Sequence, residues 1–98
     1  MSAAAMFRIL VILQVRDFDQ FDAFERRAAD IMSDFEGRIE AAFTTRRNAD
    51  SSGEEIHLLV FKSRQCFLDY RQDSRHKELG ELRLKSISST EIKEQVER

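Results

Sequence analysis

The hydrophobic period of this chain changes from two to about 3.6 at a single residue, Asp17, and no other feature constrains the fold as strongly. Before it, Phe7, Ile9, Val11, Leu13 and Val15 form an unbroken alternating apolar set. That pattern, rich in β-branched residues, belongs to a strand with one face fully buried. The intervening set, Arg8, Leu10, Ile12, Gln14 and Arg16, is apolar only in its middle, which places the strand inside a sheet and not at its edge. After Asp17, Phe18, Phe21, Phe24, Ala28, Ile31 and Phe35 recur at three- and four-residue steps. They predict an amphipathic helix of about five turns. Asp17 suits its N-cap, and Gly37 is expected to end it in the left-handed conformation that costs glycine least.

Period two returns over 38–47, with Ile39, Ala41, Phe43 and Thr45 on one side and Glu40, Ala42, Thr44 and Arg46 on the other. The turn-formers Asn48 to Gly53 separate this strand from a third, 54–62, in which Ile56, Leu58 and Val60 alternate with His57, Leu59 and Phe61. Ser63 suits the N-cap of a second helix reaching about Asp73, its apolar side being Cys66, Phe67 and Tyr70. A further turn or two from Ser74 carries Leu79 and Leu82, with Gly80 as a weak point. A fourth strand, 84–93, is anchored by Ile87 and Ile92. The order β-α-β-β-α-β predicts an α+β, ferredoxin-like domain: a four-stranded antiparallel sheet with two helices on one face. It is expected to span 1–98 as one domain, with loosely held ends at about 1–5 and 94–98. The chain has no proline to interrupt any of these elements.

A chain of 98 residues buries only about 60–65% of the surface its unfolded form exposes, so self-association is a natural source of added stability. Sixteen basic against 18 acidic residues, a formal charge of −2, give no electrostatic case for nucleic acid. Cys66 is the only cysteine, so no disulfide forms within the chain and a reducing cytoplasm is expected. The apolar stretch Ile9 to Leu13 is too short for a signal peptide or a membrane span, so no membrane partner is expected.

The sheet face turned away from the helices is expected to carry Leu10, Ile12, Leu59 and Phe61. So large an apolar patch is rarely left wet, and a second copy of the chain would cover it, making a closed or nearly closed barrel. His57 is assigned to this same face, with Arg8, Gln14, Glu40 and Arg46. A histidine in a partly apolar cavity can act as a general base near neutral pH; it can equally be structural, bonded to a neighbouring strand or carboxylate. The other four can form a pocket for an anionic or carbonyl-bearing molecule, or ion pairs such as Arg8–Glu40 that fix dimer register. Beside the second helix, Tyr70 offers a phenol, and His76, among Arg75, Lys77 and Glu78, is expected to face solvent unless turned inward at the mouth of a cleft. Cys66 is expected to be buried and inert. Two isolated histidines and one cysteine are not a metal-ligand set, and three glycines supply no phosphate loop, so neither metal nor cofactor is expected.

Asp17-Phe18-Asp19-Gln20-Phe21 after the apolar first strand, Glu55-Ile56-His57-Leu58-Leu59-Val60-Phe61-Lys62-Ser63, Phe67-Leu68-Asp69-Tyr70-Arg71-Gln72-Asp73 and the strand near Ile87 to Ile92 together resemble the dimeric α/β-barrel superfamily. The likeness is to its small uncharacterised families related to antibiotic-biosynthesis-monooxygenase-type domains, and it runs from about Phe7 to Glu94. Members of that superfamily include cofactor-free quinone-forming monooxygenases, haem-degrading oxygenases, lactone isomerases and ligand-sensing modules. The haem-degrading group uses a tryptophan, a histidine and an asparagine; this chain has no tryptophan, and its one asparagine, Asn48, lies in a loop. The resemblance implies a homodimer. It leaves two functions: a module binding a small organic ligand in or beside the dimer interior, or a cofactor-free monooxygenase- or isomerase-like enzyme using His57 as general base.

Overall fold

A computed structural model of the protein describes residues 6–96. The elements follow in the order β1 (Phe7–Val15), α1 (Phe18–Ser33), β2 (Gly37–Arg47), β3 (Gly53–Phe61), α2 (Arg64–Gln72), α3 (Arg75–Glu78), α4 (Gly80–Ser86) and β4 (Ile87–Glu94). The four strands form one antiparallel sheet in the order β2-β3-β1-β4. Among the described residues no helix is long and apolar enough to cross a membrane. The expected loose ends at 1–5 and 97–98 lie outside the described residues. At 94–96 the chain still follows β1: Gln95 N–H donates to the Arg8 carbonyl at 3.0 Å, and Arg8 N–H to the Gln95 side-chain oxygen at 2.9 Å.

β1 is the inner strand its doubled apolar pattern predicts, bonded to β3 on one side and β4 on the other. Ile9, Val11, Leu13 and Val15 are buried beneath the helices. They pack with Phe18, Phe21 and Met32 of α1, Phe67 of α2 and Ile87 of β4. Asp17 caps α1 by accepting from Asp19 N–H at 3.0 Å, and Ser63 caps α2 by accepting from Cys66 N–H at 3.1 Å. Cys66 is partly buried against the core, its sulfur accepting from the Ser63 hydroxyl.

Three expectations change. The first helix stops at Ser33, and Glu36, with φ 56°, takes the left-handed turn assigned to Gly37. Gly37 instead opens β2 with its backbone against the Phe61 ring, where a Cβ would collide. Glycine is required there by close approach and not by a left-handed φ. The second crossover holds three short helices, because the chain breaks at Asp73–Ser74 and again at Leu79–Gly80 and then winds on through Ser86. β4 accordingly starts at Ile87 and not at residue 84. Buried Ser86 is accommodated at that helix end by donating its hydroxyl to the Leu82 carbonyl at 2.8 Å.

The third change concerns β3 and relocates the main candidate residue. In the β1–β3 register Val11 opposes His57, Ile9 opposes Leu59 and Phe7 opposes Phe61. His57, Leu59 and Phe61 therefore share the helix-covered face with Val11 and Ile9, and all three are buried. Their assignment to the open face, and with it the grouping of His57 with Arg8, Gln14, Glu40 and Arg46, is overturned. Both alternating sets of β3 are apolar, so period two alone does not choose between them, and a shift by one residue exchanges the faces. The open face carries instead the rows Ala41–Leu58–Leu10 and Phe43–Ile56–Ile12, running across β2, β3 and β1. In β2, register shifts between Ile39 and Ala41 and between Thr44 and Arg46 break the expected alternation, so Ile39 faces the helices while Ala41 and Phe43 face away.

Candidate functional site

The seven candidate residues fall into two groups on opposite sides of the sheet. Arg8, Glu40, Gln14 and Arg46 lie on the open face. Arg8 Nε stands 3.8 Å from a Glu40 carboxylate oxygen, with both side chains well exposed. Gln14 bridges two strands: its amide NH2 donates to Glu54 at 2.6 Å and its carbonyl accepts from Arg46 at 2.9 Å. All four are satisfied by strand neighbours, and they edge the apolar rows at both ends. Exposed pairs of this kind contribute about 0–1 kcal/mol each; their geometry suits orientation of a partner surface better than capture of a ligand.

His57, Tyr70 and His76 lie on the other side, between helices and sheet. His57 is central in β3, 5% exposed, with its ring 5.8 Å from that of Phe21. Its Nε2 is 3.4 Å from Glu55 Oε1 and 3.8 Å from Glu25 Oε1, yet it is buried and makes no hydrogen bond. Glu55 is also buried, and its second oxygen accepts from the Thr44 hydroxyl at 2.6 Å. Burial pushes the Glu25 carboxyl up from its ordinary value; His57 opposes the shift, and Glu55 and Asp22 add to it. This cluster of Glu25, Glu55 and His57 was not assembled from the sequence. Glu55 and His57 are two apart on a strand and must share a face in any register. Glu25, four residues after Phe21 and three before Ala28, occupies the apolar stripe of α1, where a carboxylate is the exception. That misplaced charge was the available signal.

Nearer the surface, Tyr70 and His76 meet edge to face with ring centroids 4.7 Å apart. His76 does not project freely into solvent: its Nε2 is buried and unpartnered. The reason is the clamp on its neighbour. Asp73 accepts from the Arg75 backbone N–H and from Arg75 Nε, each at 2.8 Å, while Arg75 Nη1 reaches Asp34 at 2.7 Å. This ties α3 to the end of α1 and turns His76 inward against Tyr70.

Two adjoining cavities connect these groups. The inner one, about 90 Å³, touches Glu25, His57 and Tyr70 among apolar walls from Phe21, Phe24 and Met32. The outer one, about 280 Å³, has a floor of Val11, Leu13 and Leu59 and a polar rim of Tyr70, Arg71, His76, Arg83 and Thr90. Arg83 is steadied there by donating to the Thr90 hydroxyl at 2.8 Å. Val11, Leu13, Phe24, Leu59 and Tyr70 line both. An apolar floor with a few convergent donors is the usual composition of a small-molecule site.

Burial raises the Tyr70 phenol to about 12, against a smaller lowering by Arg83. The raised value means that the fold favours the neutral phenol. The stability this contributes is fully present below the unfolded value of about 10 and is lost as pH rises through 12. Tyr70 is the only tyrosine, so phenolate absorbance reports it alone. We expect its titration midpoint near 12 in the folded protein and at the ordinary value in denaturant; an ordinary midpoint in the folded state would place the phenol in water.

No family model matches the chain, and no curated protein is significantly similar to it in sequence. Solved structures do match in fold. SnoaB, a cofactor-independent oxygenase from Streptomyces nogalater, superposes with a TM-score of 0.72 at 12% identity, over 97% of this chain and 95% of that one. An uncharacterized NIPSNAP-like domain protein from Burkholderia xenovorans gives 0.68 at 16% identity, over 98% and 88%. A Nitrosomonas europaea protein provisionally assigned as an antibiotic biosynthesis monooxygenase gives 0.64 at 13% identity, over 97% and 92%. The chain therefore has the ferredoxin-like fold of the NIPSNAP-like and monooxygenase-type proteins, as the resemblance in its sequence implied. At these identities the likeness concerns fold, and fold does not transmit chemistry.

Proposed function

We propose that the protein, as one domain and a cytoplasmic homodimer paired through its open sheet face, binds a small hydroxylated or carbonyl-bearing aromatic molecule in the cavity between helices and sheet. The observation that carries this reading is the outer cavity itself. Its 280 Å³ is close to the lower end of ligand-pocket sizes, about 300 Å³, and the buried His76 nitrogen beside Tyr70 lacks a partner. An unsatisfied buried polar atom costs about 1–3 kcal/mol, and a ligand oxygen would relieve that cost. The location differs from the dimer interior favoured by the sequence, because His57, Tyr70 and His76 all lie on the helix side.

The test is a thermal-shift screen with mono- and bicyclic phenols and quinones. A compound at a hundredfold excess over its Kd stabilises by about 2.7 kcal/mol, which for a chain of this length raises Tm by roughly 10–20 °C. His76→Ala, with apo stability near wild type, should lose most of that shift. No hit across the screen, or a full shift retained in His76→Ala, would overturn the reading.

A second reading is a cofactor-free monooxygenase- or isomerase-like enzyme with His57 as general base. It is favoured by the unpartnered His57 Nε2 on the wall of the inner cavity and by the likeness to SnoaB. Loss of turnover in His57→Gln with unchanged Tm would support it; a parallel loss of stability would make His57 structural.

A further inference from the structure

We propose that Glu25, Glu55 and His57 form a binding site for one divalent first-row cation, Zn²⁺ fitting best, beside the inner cavity. The three donors come from two elements, α1 and β3, and one ligand atom from each lies within 4.8 Å of the other two. Around a tetrahedral Zn²⁺ with bonds of about 2.0–2.1 Å, neighbouring donors stand roughly 3.3–3.4 Å apart. Glu55 Oε1 is 3.4 Å from His57 Nε2, and Glu25 Oε1, at 3.8 Å, needs only a small rotation of a side chain that is partly exposed on α1. One imidazole and two carboxylates make a borderline donor set that suits Zn²⁺. Mg²⁺ and Ca²⁺ call for more oxygens than this pocket presents.

Two further observations separate this site from an ordinary acidic pair. The His57 side chain is more than nine-tenths buried, and its Nε2 lies 3.4 Å from Glu55 Oε1 and 3.8 Å from Glu25 Oε1 without a hydrogen bond to either. As a lone-pair donor, Nε2 can bind a cation that both carboxylates also bind, which satisfies all three groups at once. Among the described residues His57 is also the only cation-capable group within ion-pair distance of Glu25 or Glu55. Two carboxylates brought this close, one of them buried, gain from a compensating charge, which a divalent ion supplies. The Thr44 hydroxyl occupies Glu55 Oε2 at 2.6 Å, so Oε1 is left for the ion and the carboxylate is held in orientation, as outer partners of metal ligands do. The inner cavity touches both Glu25 and His57, so a fourth position is open to water or to an oxygen of a bound molecule. Three protein ligands with one open position is the arrangement of reactive and not of purely structural zinc.

The test uses the full chain freed of metal with EDTA. It is titrated with ZnCl2 against a chromophoric chelator and with CoCl2 by visible absorption. We expect one ion per chain, and intense tetrahedral Co²⁺ bands that ZnCl2 abolishes. Thr44→Val should weaken Zn²⁺ binding about 10- to 100-fold, and Glu25→Gln, isosteric and on a partly exposed side chain, by more. Asp30→Asn, exposed on the same helix and outside the cluster, should bind as wild type. His57→Gln supplies a second ligand variant should Glu25→Gln disturb the fold. Substoichiometric Zn²⁺, or affinity unchanged in Glu25→Gln and His57→Gln, would overturn the site and leave a buried ion pair. The organic-ligand reading stands or falls separately, because its thermal shift depends on His76 and not on Zn²⁺. With an ion in place His57 is a ligand and not a base, so Zn²⁺ retention also decides between those two roles.

Discussion

Replacing Phe61 by alanine is expected to remove about 3–5 kcal/mol of stability while leaving the proposed self-association at the open face untouched. The ring is fully buried, 5.5 Å from the Phe67 ring and 5.4 Å from that of Tyr70, and it covers the backbone of Gly37. Three elements, β2, β3 and α2, therefore meet on one side chain, and little around it can collapse into the space left behind. A domain of this length loses roughly 4–8 °C of Tm per kcal/mol, so a fall of at least about 12 °C should appear in a thermal melt. Total stability for such a domain is about 5–15 kcal/mol, and a large part of it rests on this position. The result discriminates between two placements of β3. Were Phe61 on the open face, the same change would release the dimer and leave a folded monomer; a melt within a few degrees of wild type would favour that placement.

How far the sequence reveals this depends on whether a pattern has one solution or two. β1 has one: its helix-side set is wholly apolar and its other set polar at both ends, so the inner position and core face follow directly. α1 is equally determined, with Asp17 as cap and an apolar stripe in step. β3 has two solutions, because Ile56, Leu58 and Val60 on one side and Leu59 and Phe61 on the other are both large apolar sets, and only pairing with β1 chooses between them. The bulges of β2 and the continuation of α4 to Ser86 are likewise tertiary results, set by how the strand ends meet and by the bond from Arg16 N–H to the Ser86 carbonyl. For the site, individual residues were legible but their company was not. His57 stands out as a mid-strand histidine, yet its partners depend on which face it takes; Glu25 comes from a helix 32 residues away in sequence and is joined to it only by the packing of α1 on the sheet. His76 looked solvated among charges because the Arg75 clamp to Asp73 and Asp34 is invisible in one dimension.

The corrected faces sharpen the case for pairing through the sheet, and Leu58→Lys is expected to dissociate the proposed homodimer. Leu10, Ile12, Ile56 and Leu58 are only half buried on the open face, and Phe43 is 57% exposed. These side chains form two adjacent rows, edged on β4 by the ion-paired Lys93 and Glu91 and closed at either end by Arg8–Glu40 and by Arg46–Gln14–Glu54. An apolar centre within a charged frame is the layout of an interface. A two-fold axis through it would set each row against its own copy. Full burial of a leucine contributes about 1.5–3 kcal/mol; taking the lower value because Leu58 is already half covered, and counting it twice by symmetry, gives about 3 kcal/mol. That corresponds to roughly a hundredfold weaker dimer, before the cost of desolvating two ammonium groups. The monomer should survive, since the aliphatic stem of lysine can lie along the sheet with its charge in water. Light scattering at micromolar concentration should show wild type at twice the mass of Leu58→Lys, with closely similar melts once the wild-type protein is diluted below its dissociation constant. A monomeric wild type, or a Leu58→Lys protein still at dimer mass, would mean that the apolar rows meet something other than a second copy.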